Sequence, residues 1–311
     1  MRWCIACLVW AMSLSASLDN FLKNANQKSD FYLNQLVNVD FIYVINLDQR
    51  PEKFVSCVEQ LAPYGISPYR FSAVNGWELS LDDLNQIGVK FDNSMPKNLW
   101  GTCYLPDGNF EPHHEVMSVE GRNYFCHCMP RGSIGIVLSH LSVLRDAYDS
   151  GYETIWVMED DIEVIRNPRE ISTAIAALDR DVGNKKWDIL FTDRDTKGQQ
   201  GQYVSCTSFA RRPDFSPKNP KKCEINVKIN KNFRRIGTRY GAYSMIVRRS
   251  GMKKILDFYS KHNLFLPYDM EYAFPDSIAM YTVLNDIVST QPKALSDNGG
   301  QNYLNKQASS R

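Results

Sequence analysis

The sequence lacks the features that mark several specialised classes of protein. A membrane-spanning helix needs about 20 apolar residues in succession, and the sequence has no apolar run of that length. It also has no excess of one charge, with 36 Lys and Arg against 35 Asp and Glu, so a dedicated nucleic-acid-binding protein is disfavoured. Glycine (17) and proline (14) are close to average usage, which excludes a collagen-like chain. The remaining composition, 43% apolar in 311 residues, fits one large α/β domain or two small ones.

The one apolar run that stands out is short and lies at the N-terminus. Arg2 provides a positive charge, residues 4–14 are mostly apolar, and residues 13–17 are mostly small. This order predicts a secretory signal peptide over residues 1–17, which leaves residues 18–311 as the mature chain. A buried or frayed N-terminal helix is the alternative. The predicted location is therefore exported or secreted, or the cytoplasmic side of the membrane if the segment is not a true signal.

Six cysteines follow the predicted signal peptide: Cys57, Cys103, Cys126, Cys128, Cys206 and Cys223. In an exported chain this even number permits up to three disulfides, and the spacing does not choose among the pairings. Several of these cysteines lie near His113, His114 and His127, a combination that invites a zinc site. We disfavour zinc, because no pair has the Cys-x-x-Cys spacing and because an export route favours disulfides.

Alternating strand and helix signals predict an α/β fold. Residues 41–47 form a β-branched and aromatic run, Pro51 suits the first turn of a following helix, and residues 69–74 resemble a second strand. This βαβ alternation implies a mostly parallel central sheet covered by helices. Residues 92–131 break the rhythm with scattered Pro and Gly, so we expect an insertion loop there, within a single domain over residues 18–311.

An acidic triplet (Glu159, Asp160 and Asp161) follows the next predicted strand, residues 154–158. In open α/β sheets, ligands bind outside the carboxyl ends of the strands. Hard oxygen ligands at such a place suit Mg²⁺ or Mn²⁺ held together with substrate phosphates. The alternative is a solvated loop or a helix N-terminus, where the helix dipole favours acidic residues. Further strands are predicted at 187–191 and 242–247, and further helices at about 132–151, 168–179 and 251–260.

Four segments together carry a more specific pattern: residues 41–53, 71–76, 132–141 and 156–162. They contain Asn-Leu-Asp-Gln-Arg after the first strand, Ala-Val-Asn-Gly after the second, Leu-Ser-His in a helix, and Glu-Asp-Asp after the third strand. In order and spacing they resemble glycosyltransferase family 25, the lipooligosaccharide and procollagen galactosyltransferase family. Weaker similarity continues at residues 187–190, 241–251, 267–269 and 292–296.

The resemblance implies a GT-A type nucleotide-sugar-binding fold and transfer from a UDP-sugar, usually UDP-galactose, with inversion at the anomeric carbon. It places Mn²⁺ (or Mg²⁺) at Asp160 and Asp161, with Asp161 as the first choice of direct ligand. The implied donor pocket comprises Asn46, Leu47, Arg50, Ala73, Asn75, Gly76, Ser139, His140 and Glu159. For Ser139 and His140 there is an alternative, in which each is an ordinary helix residue whose side chain is hydrogen-bonded to backbone carbonyl groups.

Inversion needs a general base that takes the proton of the acceptor hydroxyl, usually a carboxylate or a histidine. Asp269 and Glu271 are our candidates, because their segment is similar to a family motif. Asp193 or Asp195, just past a predicted strand end, is the second choice. For each of the four, the alternative is an ordinary surface acid.

Three positions depart from the family pattern. Asn75 stands where the family has Asp, Ser133 where it has Glu, and Gln49 where a basic residue is common. These changes leave open the possibility that the protein is a catalytically silent homologue.

A further feature is a basic segment, residues 211–239, which contains ten Lys and Arg residues but only two acidic residues, Asp214 and one Glu. It would suit a phosphorylated acceptor or the donor diphosphate, with a solvated loop as the alternative.

The sequence therefore predicts a metal-dependent inverting glycosyltransferase that moves a hexose, with galactose favoured, to a glycan or glycolipid acceptor. A lipooligosaccharide is favoured over collagen-type hydroxylysine. Membrane association is expected only through the acceptor or an uncleaved N-terminus. Two alternatives remain: an exported, catalytically silent protein that binds sugar nucleotides or glycans, and a metal-dependent hydrolase of nucleotide sugars. Export is in tension with this function, because UDP-sugars are made in the cytosol and a bacterial periplasm would lack the donor.

Overall fold

The structure is a computed structural model that describes residues 18–198, 200–206, 209–291 and 293–304. The predicted signal peptide, residues 1–17, lies outside the described residues. Within the described ranges, no helix is both long enough and apolar enough to span a bilayer.

The helices of the described ranges are α1 Pro51–Leu61, α2 Leu81–Ile87, α3 Arg131–Asp149, α4 Glu170–Val182, α5 Arg249–Tyr259 and α6 Tyr268–Glu271. The strands are β1 Leu33–Leu36, β2 Val39–Asn46, β3 Tyr69–Ser72, β4 Val89–Lys90, β5 Trp100–Tyr104, β6 Pro112–Val116, β7 Asn123–Cys126, β8 Thr154–Glu159, β9 Ile162–Val164, β10 Ile189–Phe191, β11 Thr196–Lys197, β12 Tyr203–Val204, β13 Asn226–Lys228, β14 Phe233–Ile236, β15 Ser244–Arg248, β16 Met280–Val283 and β17 Val288–Thr290.

A central sheet runs in the order β1-β2-β8-β15-β10-β16-β14-β13, and β3 pairs with the second half of β2, whose first half pairs with β1. The α/β class is confirmed, but the expectation of a mostly parallel sheet is wrong. Three of the eight pairings are parallel (β2 with β3, β2 with β8, β10 with β16) and five are antiparallel. The reason is that β15 lies between β8 and β10 and runs antiparallel to both, and that β13 and β14 form a hairpin.

Both faces of the sheet are covered, which explains the continuous apolar run in β2. Successive side chains of a strand point to opposite faces. Phe41, Tyr43 and Ile45 belong to the core that α3 and α5 complete, whereas Ile42 and Val44 belong to the core beneath α1 and α4. A strand buried on both faces needs apolar residues at every position rather than at alternate ones.

The insertion at 92–131 is not the loop that was expected. It contributes β5, β6 and β7 to a second, antiparallel sheet in the order β4-β7-β5-β6. The Pro and Gly residues that suggested a loop fall mostly in the turns: Pro106 and Gly108 lie between β5 and β6, and Gly121 lies between β6 and β7. This small sheet is joined to the main body where the Cys126 amide donates to the Phe265 carbonyl oxygen at 2.7 Å.

Candidate functional site

A cleft opens at the edge of the central sheet where the parallel strands β2, β3 and β8 end. The cleft encloses about 660 Å³, including the part that is open to solvent. Loops after the three strands, the first half of α3 and residues 296–298 form its walls. The lining residues are Ile45, Leu47, Lys53, Ala73, Val74, Asn75, Gly76, Trp77, Gly132, Ile136, Ser139, His140, Glu159, Asp160, Asp161, Ser296, Asp297 and Asn298.

The structure brings most of the residues predicted from the sequence to this cleft. Asn46 and Arg50 lie directly behind its wall, hydrogen-bonded to the lining residues Asp160 and Asp297. Contact of these residues with a donor stays a prediction. The predicted residues that line the cleft are Leu47, Ala73, Asn75, Gly76, Ser139, His140, Glu159, Asp160 and Asp161.

The acidic triplet stands at the carboxyl end of β8 and is only partly neutralised. Asp160 accepts a hydrogen bond from the Asn46 amide at 2.7 Å, and the Lys53 ammonium lies 3.5 Å from its other carboxylate oxygen. The Oδ1 atom of Asp161 is buried and has no hydrogen-bond partner among the described residues. Burial raises the pKa of Asp161 to about 7, and the charges of Glu159 and Asp160 add to this rise.

The residues at this point fit a cation that is shared with a ligand. Among the described residues, no three His, Cys, Asp or Glu side chains converge where they could hold a metal by themselves. Mg²⁺ is usually held by one or two carboxylates together with substrate phosphates and water. The unpartnered oxygen of Asp161 and the neighbouring Asp160 carboxylate match that kind of site, whereas a closed protein-only site is not present in these ranges.

Sequence reasoning missed an ion-pair network that lies next to the acidic triplet. The Arg50 guanidinium donates to both carboxylate oxygens of Asp297, at 2.9 and 2.8 Å. Lys53 lies 3.8 Å from the same carboxylate and therefore stands between Asp297 and Asp160. Lys53 had a signal, because it lies in the first family-like segment. Asp297 lies 247 residues from Arg50 and directly follows the weaker family-like segment 292–296, but its pairing with Arg50 was not predicted.

Residues 296–304 complete the cleft through contacts with the loop after β3. The Trp77 indole nitrogen donates to the Asp297 carbonyl oxygen at 2.9 Å, and the Asn75 amide donates to the Tyr303 hydroxyl at 3.1 Å. The Ser133 hydroxyl donates to the Asn298 side-chain oxygen at 2.6 Å. Two of the three departures from the family pattern, Asn75 and Ser133, therefore contact this segment.

Close backbone packing joins α3 to the loop after β3. A Cβ atom at Gly76 would lie 1.9 Å from the Arg131 carbonyl oxygen, so only glycine fits there. The Ser139 hydroxyl accepts a hydrogen bond from the Val74 amide at 2.8 Å and donates to the Gly135 carbonyl oxygen at 2.7 Å. The hydroxyl of Ser139 thus fixes the loop after β3, which lines the cleft, against α3.

His140 links the acidic triplet to the segment around α6. Its Nε2 lies 3.0 Å from the Glu159 carboxylate, and its ring stacks on Tyr268 with centroids 4.3 Å apart. The ring is buried, and its Nδ1 has no hydrogen-bond partner among the described residues. Both neighbours fix the plane of the imidazole.

Of the four candidates for a general base, Asp269 is the one without an arginine partner among the described residues, although it does not line the cleft. Asp269 is half-buried, and its carboxylate accepts a hydrogen bond from the Gly241 amide at 2.8 Å. Burial raises the pKa of Asp269; the Gly241 hydrogen bond opposes this effect, the charge of Glu159 adds to it, and the charge of His140 opposes it. Asp269 directly follows Tyr268, whose ring stacks on His140.

The other three candidates are not placed to act as a general base, because each is buried and paired with an arginine. Glu271 is fully buried, pairs with Arg212 and accepts a hydrogen bond from the Leu266 amide at 3.0 Å, so it has no access to the cleft. Asp193 is fully buried and pairs with Arg239.

Asp195 is buried and pairs with Arg234 at 2.7 Å. Each of these three acids therefore neutralises an arginine rather than facing the cleft. Their partners Arg212, Arg234 and Arg239 belong to the basic segment, residues 211–239. Part of the positive charge of that segment is therefore neutralised by buried carboxylates.

The cysteines and histidines of the insertion form no metal site in the described ranges. His114 Nδ1 lies 2.9 Å from the Thr102 hydroxyl, and His113 Nε2 lies 3.3 Å from the Glu115 carboxylate. Cys57, Cys103, Cys126, Cys128 and Cys223 carry free thiols in the structure, so none of these five is in a disulfide.

Comparison with known proteins identifies the family. The model of glycosyltransferase family 25 (LPS biosynthesis protein) matches residues 39–271. A glycosyltransferase 25 family member of Aedes aegypti is 31% identical over 160 residues, 51% of this chain and 22% of that protein. The inactive glycosyltransferase 25 family member 3 of Homo sapiens is 26% identical over 160 residues, with the same coverage of 51% and 22%. The matched region thus spans under a quarter of the length of these two relatives.

A solved structure of mannose-1-phosphate geranyltransferase from Thermus thermophilus covers 79% of this chain and 73% of its own. Its TM-score of 0.32 at 10% identity is too low to carry an argument. The resemblance seen in the four sequence segments is confirmed by the family model, which spans most of the described residues. The chain belongs to glycosyltransferase family 25.

Proposed function

We propose that this protein is a metal-dependent inverting glycosyltransferase of the GT-A type. It moves a hexose, with galactose as the first candidate, from a UDP-sugar to a glycan acceptor such as lipooligosaccharide. The observation that carries the proposal is the convergence of the acidic triplet with the loops after β2 and β3 in one cleft. Family membership supports a transferase that uses a sugar donor, whereas the donor, the metal and the acceptor belong to the proposal.

The donor is proposed to lie across the carboxyl ends of the three parallel strands, as ligands do in open α/β sheets. The uridine contacts Leu47 and the loop of Ala73, Asn75 and Gly76, whose backbone is held in place by α3. The diphosphate extends toward Lys53 and the acidic triplet. Lys53 is the cation of the cleft lining, and it lies between two carboxylates that a bound diphosphate would replace as its partners.

Asp160 and Asp161 are the residues that would hold Mn²⁺ or Mg²⁺. When bound, such an ion stabilises the negative charge that a diphosphate leaving group gains. Asp161 contributes the oxygen that lacks a protein partner, and Asn46 orients the carboxylate of Asp160. His140 holds Glu159 at the other side of the triplet.

Asp269 is proposed to take the proton from the acceptor hydroxyl. Burial raises the pKa of this carboxylate, which makes it a stronger base than an exposed aspartate. Asp269 follows Tyr268, whose ring stacks on His140, so the acceptor is proposed to approach from the α6 side of the cleft. Inversion requires that the acceptor attack from the side opposite to the leaving diphosphate.

Export by residues 1–17 remains part of the proposal, with the cytoplasmic side of the membrane as the alternative location. Contact with a membrane is proposed only through a glycolipid acceptor or an uncleaved N-terminus. The near balance of 36 basic and 35 acidic side chains gives no reason to propose a nucleic-acid partner.

The test is UDP release by the purified protein from a panel of UDP-hexoses, with Mn²⁺ or with EDTA, beside Asp161→Asn. We expect turnover that favours one donor, requires the metal and falls about 100-fold in Asp161→Asn, which corresponds to about 2.7 kcal/mol in the activation free energy. The matched control is Asp257→Asn, which removes an exposed carboxylate paired with Lys253 and should keep full activity. Equal activity of Asp161→Asn and the control would contradict the proposal.

A catalytically silent binding protein is the second candidate, because two of the similar proteins are named inactive. Asn75 also donates to the Glu78 carboxylate at 2.8 Å, and Gln49 donates to the same oxygen at 2.7 Å. An aspartate at position 75 could not donate in this way. UDP binding without turnover for every donor and acceptor would favour this candidate, and Asn75→Asp and Ser133→Glu would be the first reversions to assay. Sugar release that is independent of any acceptor would instead indicate a hydrolase.

A further inference from the structure

A pair of thiols lies outside the cleft walls, where the small sheet meets α3. Cys126 is the last residue of β7, and Cys128 follows in the turn that leads to α3. The two Sγ atoms are 2.9 Å apart, which is about 0.9 Å longer than a disulfide bond of about 2.05 Å. Little movement therefore separates this pair from a covalent bond.

The two thiols differ in exposure and in charge state. Cys126 is buried and Cys128 is exposed. The hydrogen bond from Cys126 lowers the pKa of Cys128 to about 7, although burial and the charge of Asp269 oppose this effect. The same hydrogen bond between the two thiols raises the pKa of Cys126. An exposed thiolate beside a buried thiol is the arrangement in which one cysteine attacks and the other resolves.

The backbone around the pair is fixed on both sides. The Cys126 amide donates to the Phe265 carbonyl oxygen at 2.7 Å, and the Met129 amide donates to the Cys126 carbonyl oxygen at 2.9 Å. These bonds hold the two sulfur atoms at the junction between the small sheet and the segment that leads to α6. The bond to Phe265 places the pair next to the segment that leads to α6, which contains the proposed general base Asp269.

We propose that Cys126 and Cys128 are a reversible dithiol–disulfide site that exchanges with small-molecule disulfides such as oxidised glutathione. The Cys128 thiolate attacks one sulfur of the oxidant, breaks its S–S bond and releases one thiolate, which leaves a mixed disulfide on Cys128. Cys126 then gives its proton to solvent, attacks the Cys128 sulfur and releases the second thiolate. The protein loses two electrons and two thiol protons, and the oxidant is reduced to two thiols.

The test is peptide mapping of the full-length chain after incubation with oxidised glutathione or with dithiothreitol, followed by thiol alkylation. Trypsin cuts after Arg122 and Arg131, so both cysteines fall in the peptide 123–131, which contains no other cysteine. After oxidised glutathione we expect this peptide to be lighter by two hydrogen atoms and to carry no alkyl group. After dithiothreitol we expect two alkyl groups on it.

Three variants separate the roles of the two sulfurs. Cys126→Ser should retain glutathione on Cys128, because the resolving thiol is absent. Cys128→Ser should leave Cys126 as an unmodified thiol, because that sulfur is buried. Cys223→Ser, which removes a partly exposed cysteine elsewhere, should behave as the unsubstituted chain.

Two outcomes would overturn the proposal: a peptide that keeps both thiols at equilibrium with the oxidant, or one that keeps a stable glutathione adduct on Cys128 in the unsubstituted chain. A cross-link from either cysteine to another part of the chain would overturn it as well. The mapping of the unsubstituted chain decides the question even if a variant fails to fold. None of these results depends on glycosyl transfer.

Discussion

At the scale of single residues, the cleft holds more negative charge than the protein neutralises. Among the described residues, Lys53 is the lysine that lies within 4 Å of the acidic triplet. It also lies within 4 Å of Asp297, so its positive charge is shared. Burial, together with the charges of Glu159 and Asp160, raises the pKa of Asp161 to about 7 and so disfavours its charged form. A bound cation would remove that penalty, so the proposed metal and the folded cleft stabilise each other.

Asp297→Asn should destabilise the protein, because it removes the buried carboxylate charge beside the Arg50 guanidinium and leaves only the half-exposed Glu52 as an acidic partner of Arg50. Arg50 and Asp297 are 3% and 6% exposed, and removal of one partner from a buried pair costs about 3 kcal/mol or more. Urea unfolding measures this loss. Asp257→Asn, in an exposed pair, should change the free energy of unfolding by less than about 1 kcal/mol. A loss no larger than that of this control would show that Arg50 does not depend on Asp297.

Asp214 should make the protein lose stability in acid. Although burial raises the pKa of Asp214, the His262 hydrogen bond and the Arg212 charge outweigh it and lower the pKa to about 2. A carboxyl whose folded-state pKa is depressed contributes stability above its unfolded pKa of 3.8, and this is lost as the pH falls toward 2. The contribution is about 2 kcal/mol.

The measurement is urea unfolding at pH 5 and pH 2.5, in the unsubstituted chain and in Asp214→Asn. We expect the variant to lose about 2 kcal/mol less between the two pH values. The exposed Asp107→Asn should retain the dependence of the unsubstituted chain. An identical pH dependence in Asp214→Asn would refute the assignment.

At the scale of elements, the site depends on how closely α3 approaches the loop after β3. Gly76→Ala should be poorly tolerated, because its Cβ would lie 1.9 Å from the Arg131 carbonyl oxygen. Forcing atoms into such a packed contact costs about 1–3 kcal/mol or more. Because the same loop lines the cleft, we expect weaker UDP binding as well.

Thermal unfolding and UDP titration of Gly76→Ala test this expectation. Gly299→Ala is the matched control, since its added Cβ has no heavy atom within 4 Å. The control should keep both the melting temperature and the affinity. A Gly76→Ala variant that matches the control in both would show that the close approach is not required.

At the scale of the whole molecule, the cleft is assembled from parts that lie far apart in the chain, from Ile45 to Asn298. A ligand that bridges them binds only the folded state and therefore raises global stability. UDP at about 100 times its Kd should add about 2.7 kcal/mol to the free energy of unfolding when Mn²⁺ is present. If the ion is shared between the acidic triplet and the diphosphate, UDP and Mn²⁺ together should stabilise more than the sum of each alone.

Thermal unfolding with UDP, Mn²⁺, both, or UDP with EDTA measures this coupling. ADP at the same concentration is the control for a non-specific effect of a nucleoside diphosphate. Purely additive shifts would argue against a shared metal. Equal shifts for UDP and ADP would argue against a uridine pocket.

The sequence by itself determined the parts of this protein that depend on neighbours along the chain. The apolar runs of β2 and β8 and the acids that follow β8 predicted strands buried on both faces and a candidate metal site at a sheet edge, because strand periodicity is local. Family motifs placed Asn46, Arg50 and His140 at or behind one cleft. Glu271 was misjudged, since its motif resembles a site while its carboxylate is buried against Arg212.

Only the tertiary structure decided what depends on contacts distant in sequence. The antiparallel β15 entered between β8 and β10, which no local pattern signals, so the sheet became mixed. Asp297 joined the cleft from 247 residues beyond Arg50. The insertion folded into a small sheet, because its strands bury one another only after they pair. Strand order, burial of charge and long-range ion pairs follow from packing free energy summed over the whole chain, which a short stretch of sequence does not contain.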